Sequence, residues 1–341
     1  MALQMYNSTI ITGGTAADLG TTDDLYVGKS GFLGSTGGFA VYGSGSDHEI
    51  TVQGELAGSG YAIYIANYSS PIAGETVTVG TTGSLSGSYG IYLNAHSSSI
   101  ENDGVIRGST WGISMTGNAH SGQSSLSNYG LIVGGISRDG SEDFELVNEG
   151  TIRKEQGYPH AYVSTGTGDQ TIENSGVING NVVFADGNDV YDGREGVLKN
   201  AYVSGGMGDD TLLGGMRDEV FIGGVGADTL KGGGGADHFI FDDGESTTTK
   251  AGRDIIKDFS HAQQDILDLA WVDAIPSNGI DNDDEFSFIG KQSFSGEAGE
   301  LRFSKFGDNT LVSADFDGDK LADFAVELQG RFELVKGDFV L

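Results

Sequence analysis

The first half of the chain repeats a pattern in which a glycine is followed by apolar residues. The glycines that begin the repeats are Gly31, Gly54, Gly83, Gly104, Gly130, Gly150, Gly176 and Gly196. A second motif, which reads FAVY, YAIY, YGIY or WGIS, follows the first four glycines at a short distance. Short apolar runs between turn residues predict strands. Because the motifs recur in the same order, they predict a right-handed parallel β-solenoid over residues 1–164, with one strand pair per repeat.

A β-sandwich with irregular hairpins is the alternative for this half, because sandwiches also space short strands regularly. An asparagine stands two residues before four of the glycines. These residues are Asn102, Asn128, Asn148 and Asn174. Asparagine tolerates the left-handed backbone conformation and bonds its own backbone, so these positions are predicted to be turns.

Residues 205–240 form four nine-residue repeats of the template G-G-x-G-x-D-x-U-x, where U is a large apolar residue. They read GGMGDDTLL, GGMRDEVFI, GGVGADTLK and GGGGADHFI. The second repeat departs from the template, since Arg217 replaces the fourth glycine and Glu219 replaces the aspartate. Glycine lets backbone carbonyls converge, and carbonyl and carboxylate oxygens are the ligands that Ca²⁺ prefers. The alternative is a flexible linker, which would not keep Asp and Leu or Phe in phase.

The same turn type is predicted to begin before these repeats. GDQTI, GNDVY, GDDTL and GADTL align, and we expect their acids Asp169, Asp189, Asp210 and Asp228 to lie one turn apart. This predicts one solenoid that narrows toward two of the short repeats per turn, with a calcium β-roll over residues 165–243. The predicted metal ligands of the roll are Asp169, Gly187, Asp189, Gly206, Gly208, Asp210, Glu219, Gly224, Gly226, Asp228, Gly233, Gly235 and Asp237.

The four repeats resemble the RTX calcium-binding repeat. Downstream, the segments RDIIKDFSHAQQDILDL, FSFIGKQSFSGEAGELRF and TLVSADFDGDKLADFAVELQG and the ending GDFVL resemble the C-terminal domain of serralysin-type secreted metalloproteases. A similar domain occurs on other secreted proteins, including alginate epimerases. The resemblance implies several bound Ca²⁺ ions, with Asp258 and Asp265 near the last of them.

The resemblance also implies how the chain leaves the cell. It predicts a β-sandwich-like cap over residues 244–341 that ends in an export signal for the type I secretion apparatus. The matching residues of that signal are Asp338, Phe339, Val340 and Leu341. We therefore expect an extracellular protein of a Gram-negative bacterium, which agrees with an N-terminal sequence unlike a signal peptide.

The charge of the chain fits this interpretation. It has 49 acidic and 18 basic residues, for a formal net charge of −31. Residues 161–341 carry 34 acids and 13 bases, a density that multivalent cations would offset. The same charge argues against nucleic acid and anionic membranes as partners, because both are polyanions. The absence of cysteine excludes disulfides and thiol chemistry, and no apolar run is long enough to span a membrane.

Catalytic motifs are weak or absent. The serralysin zinc motif H-E-x-x-H would need a histidine at position 52 after His48 and Glu49, but that residue is Val52. Tyr158-Pro159-His160 is similar to an Asp-Pro-His stretch of alginate epimerases, but Tyr replaces Asp. We therefore predict a non-enzymatic protein. A small polysaccharide lyase or epimerase is the alternative, which a cluster of acids, Lys or Arg and Tyr on one face would favour.

Three tyrosines, Tyr42, Tyr64 and Tyr92, occupy equivalent repeat positions. By strand alternation they share a face opposite the apolar residues that precede them. This outward ladder either binds a ligand such as a glycan or only braces neighbouring strands. Basic residues are scarce in the same half, which is unlike an anionic-sugar cleft. Up to position 160 they are Lys29, Arg107, Arg138, Arg153 and Lys154.

A further acidic motif, D-x-D-x-D-x-x-x-D, begins at Asp315 and contains Asp317, Asp319 and Asp323. It predicts either another calcium site or a solvated acidic turn, since the Glu that closes an EF-type loop is missing.

Taken as a whole, the sequence predicts an all-β protein of three parts that is secreted, binds calcium and acts at the cell surface or in the extracellular matrix. We expect an adhesin or a glycan-binding protein. Self-association through an open solenoid end is also expected, since an unpaired strand edge favours pairing.

Overall fold

A computed structural model describes residues 2–67, 72–117, 122–155, 157–276 and 284–341. Regular structure in these ranges is nearly all β, with two short 3-10 turns at Lys250–Gly252 and Lys336–Asp338. The chain forms two compact units. The first unit is Met1–Ala185 with Glu195–Asn200, and the second is Asp186–Arg194 with Ala201–Leu341. The division into three parts, with boundaries after residues 164 and 243, stays a prediction.

The first unit is a parallel β-solenoid. Its strands are β1 (Leu3–Tyr6), β2 (Thr9–Thr12), β3 (Ala17–Leu19), β4 (Asp24–Val27), β5 (Phe32–Ser35), β6 (Phe39–Gly43), β7 (Glu49–Val52), β8 (Glu55–Gly58), β9 (Tyr61–Ala66), β10 (Thr76–Val79), β11 (Ser84–Asn94), β12 (Ser99–Asn102), β13 (Val105–Gly117), β14 (Gln123–Asn128), β15 (Leu131–Val133), β16 (Ile136–Gly140), β17 (Asp143–Asn148), β18 (Thr151–Arg153), β19 (His160–Ser164), β20 (Gln170–Asn174), β21 (Val177–Asn179), β22 (Asn181–Val183) and β24 (Val197–Lys199).

Each turn of this unit has three strand faces, not the strand pair that the sequence predicted. One face runs from β1 through β4, β7, β10, β12, β14 and β17 to β20. A second runs from β2 to β24, and a third runs from β3 to β22, with β11 and β13 contributing to both. The long turns of this unit have room for three short strands and their bends, whereas a turn made of two nine-residue repeats accommodates two strands.

The interior of the first unit is filled by the apolar residues of the glycine repeat. Leu85, Ile106 and Ile132 stand directly above one another in register and are fully buried. Burying one such side chain stabilises the fold by about 1.5–3 kcal/mol. The repeat therefore marks one column of the core.

The four asparagines predicted as turn residues lie inside the solenoid. Each side-chain amide of Asn102, Asn128 and Asn148 donates a 2.7 Å hydrogen bond to the side-chain oxygen of the asparagine on the next turn, ending at Asn174. All four are buried, at the ends of their strands. The chain bends at the two residues after each asparagine, as the N-x-G pattern predicted. The asparagines themselves do not have positive φ, and their amides bond to the next turn because each amide has a donor and an acceptor that stacked turns can satisfy.

The second unit contains a two-faced parallel roll. Its strands are β23 (Val190–Asp192), β25 (Val203–Met207), β26 (Thr211–Leu213), β27 (Val220–Val225), β28 (Thr229–Lys231), β29 (His238–Asp242), β30 (Ile255–Ile256), β31 (Ile266–Trp271), β32 (Ser287–Gly290), β33 (Glu300–Phe306), β34 (Asn309–Asp315), β35 (Phe324–Leu328) and β36 (Phe339–Val340). One face has the order β23, β26, β28, β30, and the other has the order β25, β27, β29, β31.

The C-terminal strands extend both faces of this roll. Strand β35 pairs with β30 in parallel, and β34 and β33 follow it as antiparallel neighbours. On the other face, β36 pairs with β31. Phe324 of β35 packs edge-on against Phe241 of β29, with ring centroids 5.8 Å apart. The cap thus shares its core with the roll.

No helix in the described part of the chain is long and apolar enough to cross a membrane.

Candidate calcium sites

The turns of the roll stack closely because glycine occupies the points where one backbone meets the next. Gly208 and Gly226 have φ angles of 130° and 156°, a region that favours glycine. A Cβ atom on Gly226 would lie 1.9 Å from the carbonyl oxygen of Gly208. The glycine positions of the repeat are therefore required by the backbone approach itself.

A first column of carboxylates stands immediately before the strands of one face. It consists of Asp189, Asp210, Asp228 and Asp254. The backbone N–H of each of the first three donates to Oδ1 of the next acid in the column, at 2.7, 2.8 and 2.9 Å. All four residues are at most 1% exposed. Each acid thus joins two successive turns.

A second column stands before the strands of the other face. Glu219 donates its backbone N–H to Oδ1 of Asp237 at 2.9 Å, and Asp237 donates to Oδ1 of Asp265 at 3.1 Å. Asp265 also accepts the N–H of Ser260 through Oδ2, at 2.8 Å. The second repeat therefore places its glutamate where the regular repeats place aspartate.

Most of the second carboxylate oxygens in these columns are buried without a hydrogen-bond donor among the described residues. These atoms are Oδ2 of Asp210, Asp228, Asp237 and Asp254 and Oε2 of Glu219. A buried carboxylate oxygen without a partner is costly in free energy. A bound cation would remove that cost.

The pKa values of these acids also indicate that the columns lack a positive counter-charge. Burial, with like charges nearby, raises the pKa of Asp210 to about 8, of Asp228 to about 7 and of Asp254 to about 9. In the second column, burial and the neighbouring acids raise the pKa of Glu219 to about 7 and of Asp237 to about 6. Without a counter-charge, the columns hold protons near neutral pH.

The first glycine of each regular repeat faces the carboxylate of the same repeat. A Cβ on Gly205 would lie 2.2 Å from Oδ2 of Asp210. The corresponding distance is 2.4 Å from Gly223 to Asp228 and 2.1 Å from Gly232 to Asp237. Backbone and carboxylate oxygens therefore meet in spaces that a larger residue would fill. An all-oxygen donor set of this kind fits Ca²⁺.

The family comparison agrees with this geometry. The model of the family described as peptidase M10 serralysin C terminal matches residues 167–341, just over half of the chain. The chain belongs to the serralysin C-terminal family. This domain is the non-catalytic part of those peptidases, and domains of this type typically bind calcium. The residues of this chain that would hold the ions are the two columns and the adjacent glycine carbonyls.

Among solved structures, the chain is similar to the solution structure of the AlgE6R2 subunit from the Azotobacter vinelandii mannuronan C5-epimerase. The identity is 21%, with 55% of this chain and 94% of that chain covered, and the TM-score is 0.29. No curated protein matches the chain significantly.

The interpretation of Asp169 as a member of the column was wrong. In this roll the buried acid stands two positions after a glycine, as in Gly208 and Asp210, but two positions after Gly168 comes Gln170. Gln170 is buried, and Asp169 is exposed and donates its N–H to Oδ1 of Asp143. The alignment by acidic residues was therefore one position out of register.

Asp258 lies apart from the columns. Its two oxygens accept the backbone N–H groups of Gly232 and Gly233, both at 2.9 Å. It therefore holds the glycine pair of the fourth repeat in place. The seven predicted glycine positions all have positive φ, and they are Gly187, Gly206, Gly208, Gly224, Gly226, Gly233 and Gly235.

The sequence interpretation missed Asp254, which ends the first column. The segment GRDII has the glycine, the acid and the apolar residue of the turn type, so this signal was present in the sequence. Asp209 was also missed, although its carboxylate accepts the N–H of Ala227 on the next turn at 2.9 Å.

The acidic motif of the cap forms a compact group. Ligand atoms of Asp315, Asp317 and Asp323 lie within 4.8 Å of one another. Asp315 already accepts the N–H groups of Gly318 and Lys320. The predicted fourth member, Asp319, instead accepts the N–H of Leu321.

Single ligand changes test the columns. We expect Asp210→Ala or Asp228→Ala to weaken calcium binding by at least about tenfold, because losing a ligand should cost no less than losing a supporting residue. Glu219→Ala should cost less, because Arg217 stands close to Glu219 in place of a glycine and supplies a competing positive charge. Calorimetric titration of the three variants measures the difference. Equal losses would show that the second repeat binds like the others.

The three predicted tyrosines lie on one face of the first unit. Tyr42, Tyr64 and Tyr92 are in register on β6, β9 and β11, with ring centroids 5.9 and 5.1 Å apart and ring planes within 9°. They are half-buried, and the residues before them are fully buried. The predicted outward ladder is present.

A second aromatic row, missed in the sequence, runs beside the tyrosines. Phe39, Tyr61 and Tyr89 are in register with each other and with Trp111. Simple alternation would point Ala40 outward with Tyr42, but Ala40 is fully buried. The pairing skips this position, so the strand bends there and two successive residues face inward.

Proposed function

We propose that this protein is a secreted, calcium-dependent β-roll protein that binds glycans at the cell surface or in the extracellular matrix. Membership of the serralysin C-terminal family supports calcium binding and secretion, with the type I apparatus of a Gram-negative cell as the export route. The observation that carries the glycan proposal is the pair of aromatic rows on the first unit. Half-exposed aromatic rings with polar tips suit the apolar faces and hydroxyls of sugars.

Tyrosine variants test this proposal. We expect Tyr64→Ala, at the centre of the ladder, to reduce retention on a glycan array by roughly fivefold, the loss of about 1 kcal/mol of ring contact. Tyr129→Ala is the matched control, because Tyr129 is 46% exposed and stands outside both rows. Calcium-dependent melting should be unchanged in both variants. A lower Tm with unchanged retention of the folded fraction would mean that the ladder only braces the solenoid.

A polysaccharide lyase or epimerase is the second candidate. The observation that favours it is a pocket in the first unit that is lined by Arg153, Lys154, Glu155 and Tyr158, the mixture of side chains expected of such an enzyme. Incubation of the calcium-loaded protein with acidic polysaccharides tests this candidate. Shortened chains, unsaturated ends or altered uronate stereochemistry would establish it.

A further inference from the structure

The basic side chains of the first unit are concentrated in one place. This unit has six Lys and Arg residues, although the chain as a whole has a net charge of −31. Three of them, Arg107, Arg153 and Lys199, share one row along the second strand face. The row passes from Arg107 through Val133, Arg153 and Asn179 to Lys199. A fourth, Lys154, follows Arg153 directly.

The row spaces its charges evenly. A cation occupies every second turn, so neighbouring charges in the row are about 10 Å apart at a strand spacing of about 4.8 Å. Arg107 and Lys199 are exposed, and Arg153 and Lys154 are half-buried. None of the four forms an ion pair within the described ranges. Arg138, by contrast, is buried and paired with Glu142 at 3.0 Å.

A pocket of about 550 Å³ opens at the middle of this row. Arg153, Lys154, Tyr158 and Asn179 line it, and Glu155 is the one acidic residue among its described lining. The Tyr158 ring is 45% exposed, and its centroid lies 6.4 Å from that of Trp111. Two cations and an aromatic surface therefore meet at this pocket. The carboxylate of Glu155 offsets only one of the two positive charges.

The environment of His160, beside the pocket, is also positive. Burial and the charge of Lys154 lower the pKa of His160. Its Nδ1 is buried and has no hydrogen-bond partner in the described part of the chain. Lys154 thus contributes positive potential beside the pocket as well as within it.

We propose that this pocket and the cationic row bind an acidic saccharide through its carboxylate or sulfate groups. The guanidinium of Arg153 can bind a carboxylate or sulfate in two-pronged fashion, and Trp111 and Tyr158 can contact the apolar faces of the sugar rings. The evenly spaced cations suit a linear chain that bears repeated charges. Duplex nucleic acid carries one charge per about 1.7 Å, a spacing that cations about 10 Å apart do not match.

Charge variants of the full, calcium-loaded protein test the proposal. The probes are a hexauronate, its carboxyl-reduced neutral analogue, a sulfated oligosaccharide and a single-stranded oligonucleotide. We expect Arg153→Ala/Lys154→Ala to weaken acidic-saccharide binding about tenfold or more, as for the loss of charge-assisted hydrogen bonds. Lys29→Ala is the matched control, because Lys29 is an exposed cation outside the row. Glu155→Gln should strengthen binding by removing a like charge.

The comparison of hexauronate with sulfated probe identifies which anion the site prefers. Equal binding of the neutral analogue, tighter binding of the oligonucleotide, or an equal loss in Lys29→Ala would overturn the proposal. Melting in Ca²⁺ establishes that the variants are folded, and Arg153→Lys/Lys154→Arg provides a charge-conserving pair if the alanine variant does not fold. Since Tyr42, Tyr64 and Tyr92 line neither pocket nor row, the tyrosine ladder can fail its own test without affecting this one.

Discussion

Removing calcium is expected to destabilise the second unit much more than the first. Stacked carboxylates about 4.8 Å apart repel by roughly 1 kcal/mol per pair in water and roughly 3–4 kcal/mol at an effective dielectric of about 20. Each bound ion removes this repulsion, and at about 100 times its Kd it adds about 2.7 kcal/mol of stability. Two or more ions should therefore raise the Tm by roughly 10 °C or more. The first unit should depend little on calcium, because aliphatic residues and uncharged asparagines stabilise its interior.

Circular dichroism in EDTA and in millimolar Ca²⁺ measures the overall change, and hydrogen exchange locates it. Amides of β25–β31 should lose protection in EDTA, whereas those of β12–β20 should keep it. The matched variant is Asp210→Asn/Asp228→Asn, which removes two charges at constant size. It should be more stable than the parent protein in EDTA and gain less from calcium. Identical spectra and melting temperatures with and without the ion would contradict the calcium assignment.

The pH dependence of stability is expected to change sign with calcium. In the metal-free protein, burial raises the pKa of Asp210, Asp228 and Asp254 to about 8, 7 and 9, above the ordinary value of 3.8. The folded state therefore binds more protons than the unfolded state between about pH 4 and these values. Stability must fall as pH rises through this window, by up to about 1.4 kcal/mol per pH unit for each acid.

Calcium reverses the trend because it binds only the ionised carboxylates, so that its stabilisation grows with pH. Thermal melts from pH 4 to 9, in EDTA and in saturating Ca²⁺, measure both slopes. The Asp210→Asn/Asp228→Asn variant should flatten each of them. A metal-free protein that becomes more stable from pH 5 to 8 would contradict the buried state of the columns.

In the nine-residue repeats, local sequence was enough to predict which residues form the turns and the carboxylate columns. A glycine and an acid stand two positions apart in each regular repeat, as in Gly208 and Asp210. The structure places them at the stacked turn and in the column, as that spacing requires. At Asp169 the local pattern predicted the wrong residue for the column. Its acidic character suggested a ligand. However, the glycine sets the register of the turn, and the buried position two residues after Gly168 belongs to Gln170.

The sequence by itself determined the parallel solenoid, the β-roll and most of the carboxylates in it, because these features repeat and each repeat contains its own turn chemistry. Only the tertiary structure decided what separate repeats bring together. Three features depend on where the backbone bends, and they are the three-strand turn, the asparagine ladder and the second aromatic row. The positions of these bends leave the local pattern of apolar and polar residues unchanged. The row of Arg107, Arg153 and Lys199 joins residues that are distant in the sequence, so it exists only once the turns are stacked in register. A few scattered cations looked too sparse for an acidic ligand, and stacking at about 4.8 Å per turn is what concentrates them.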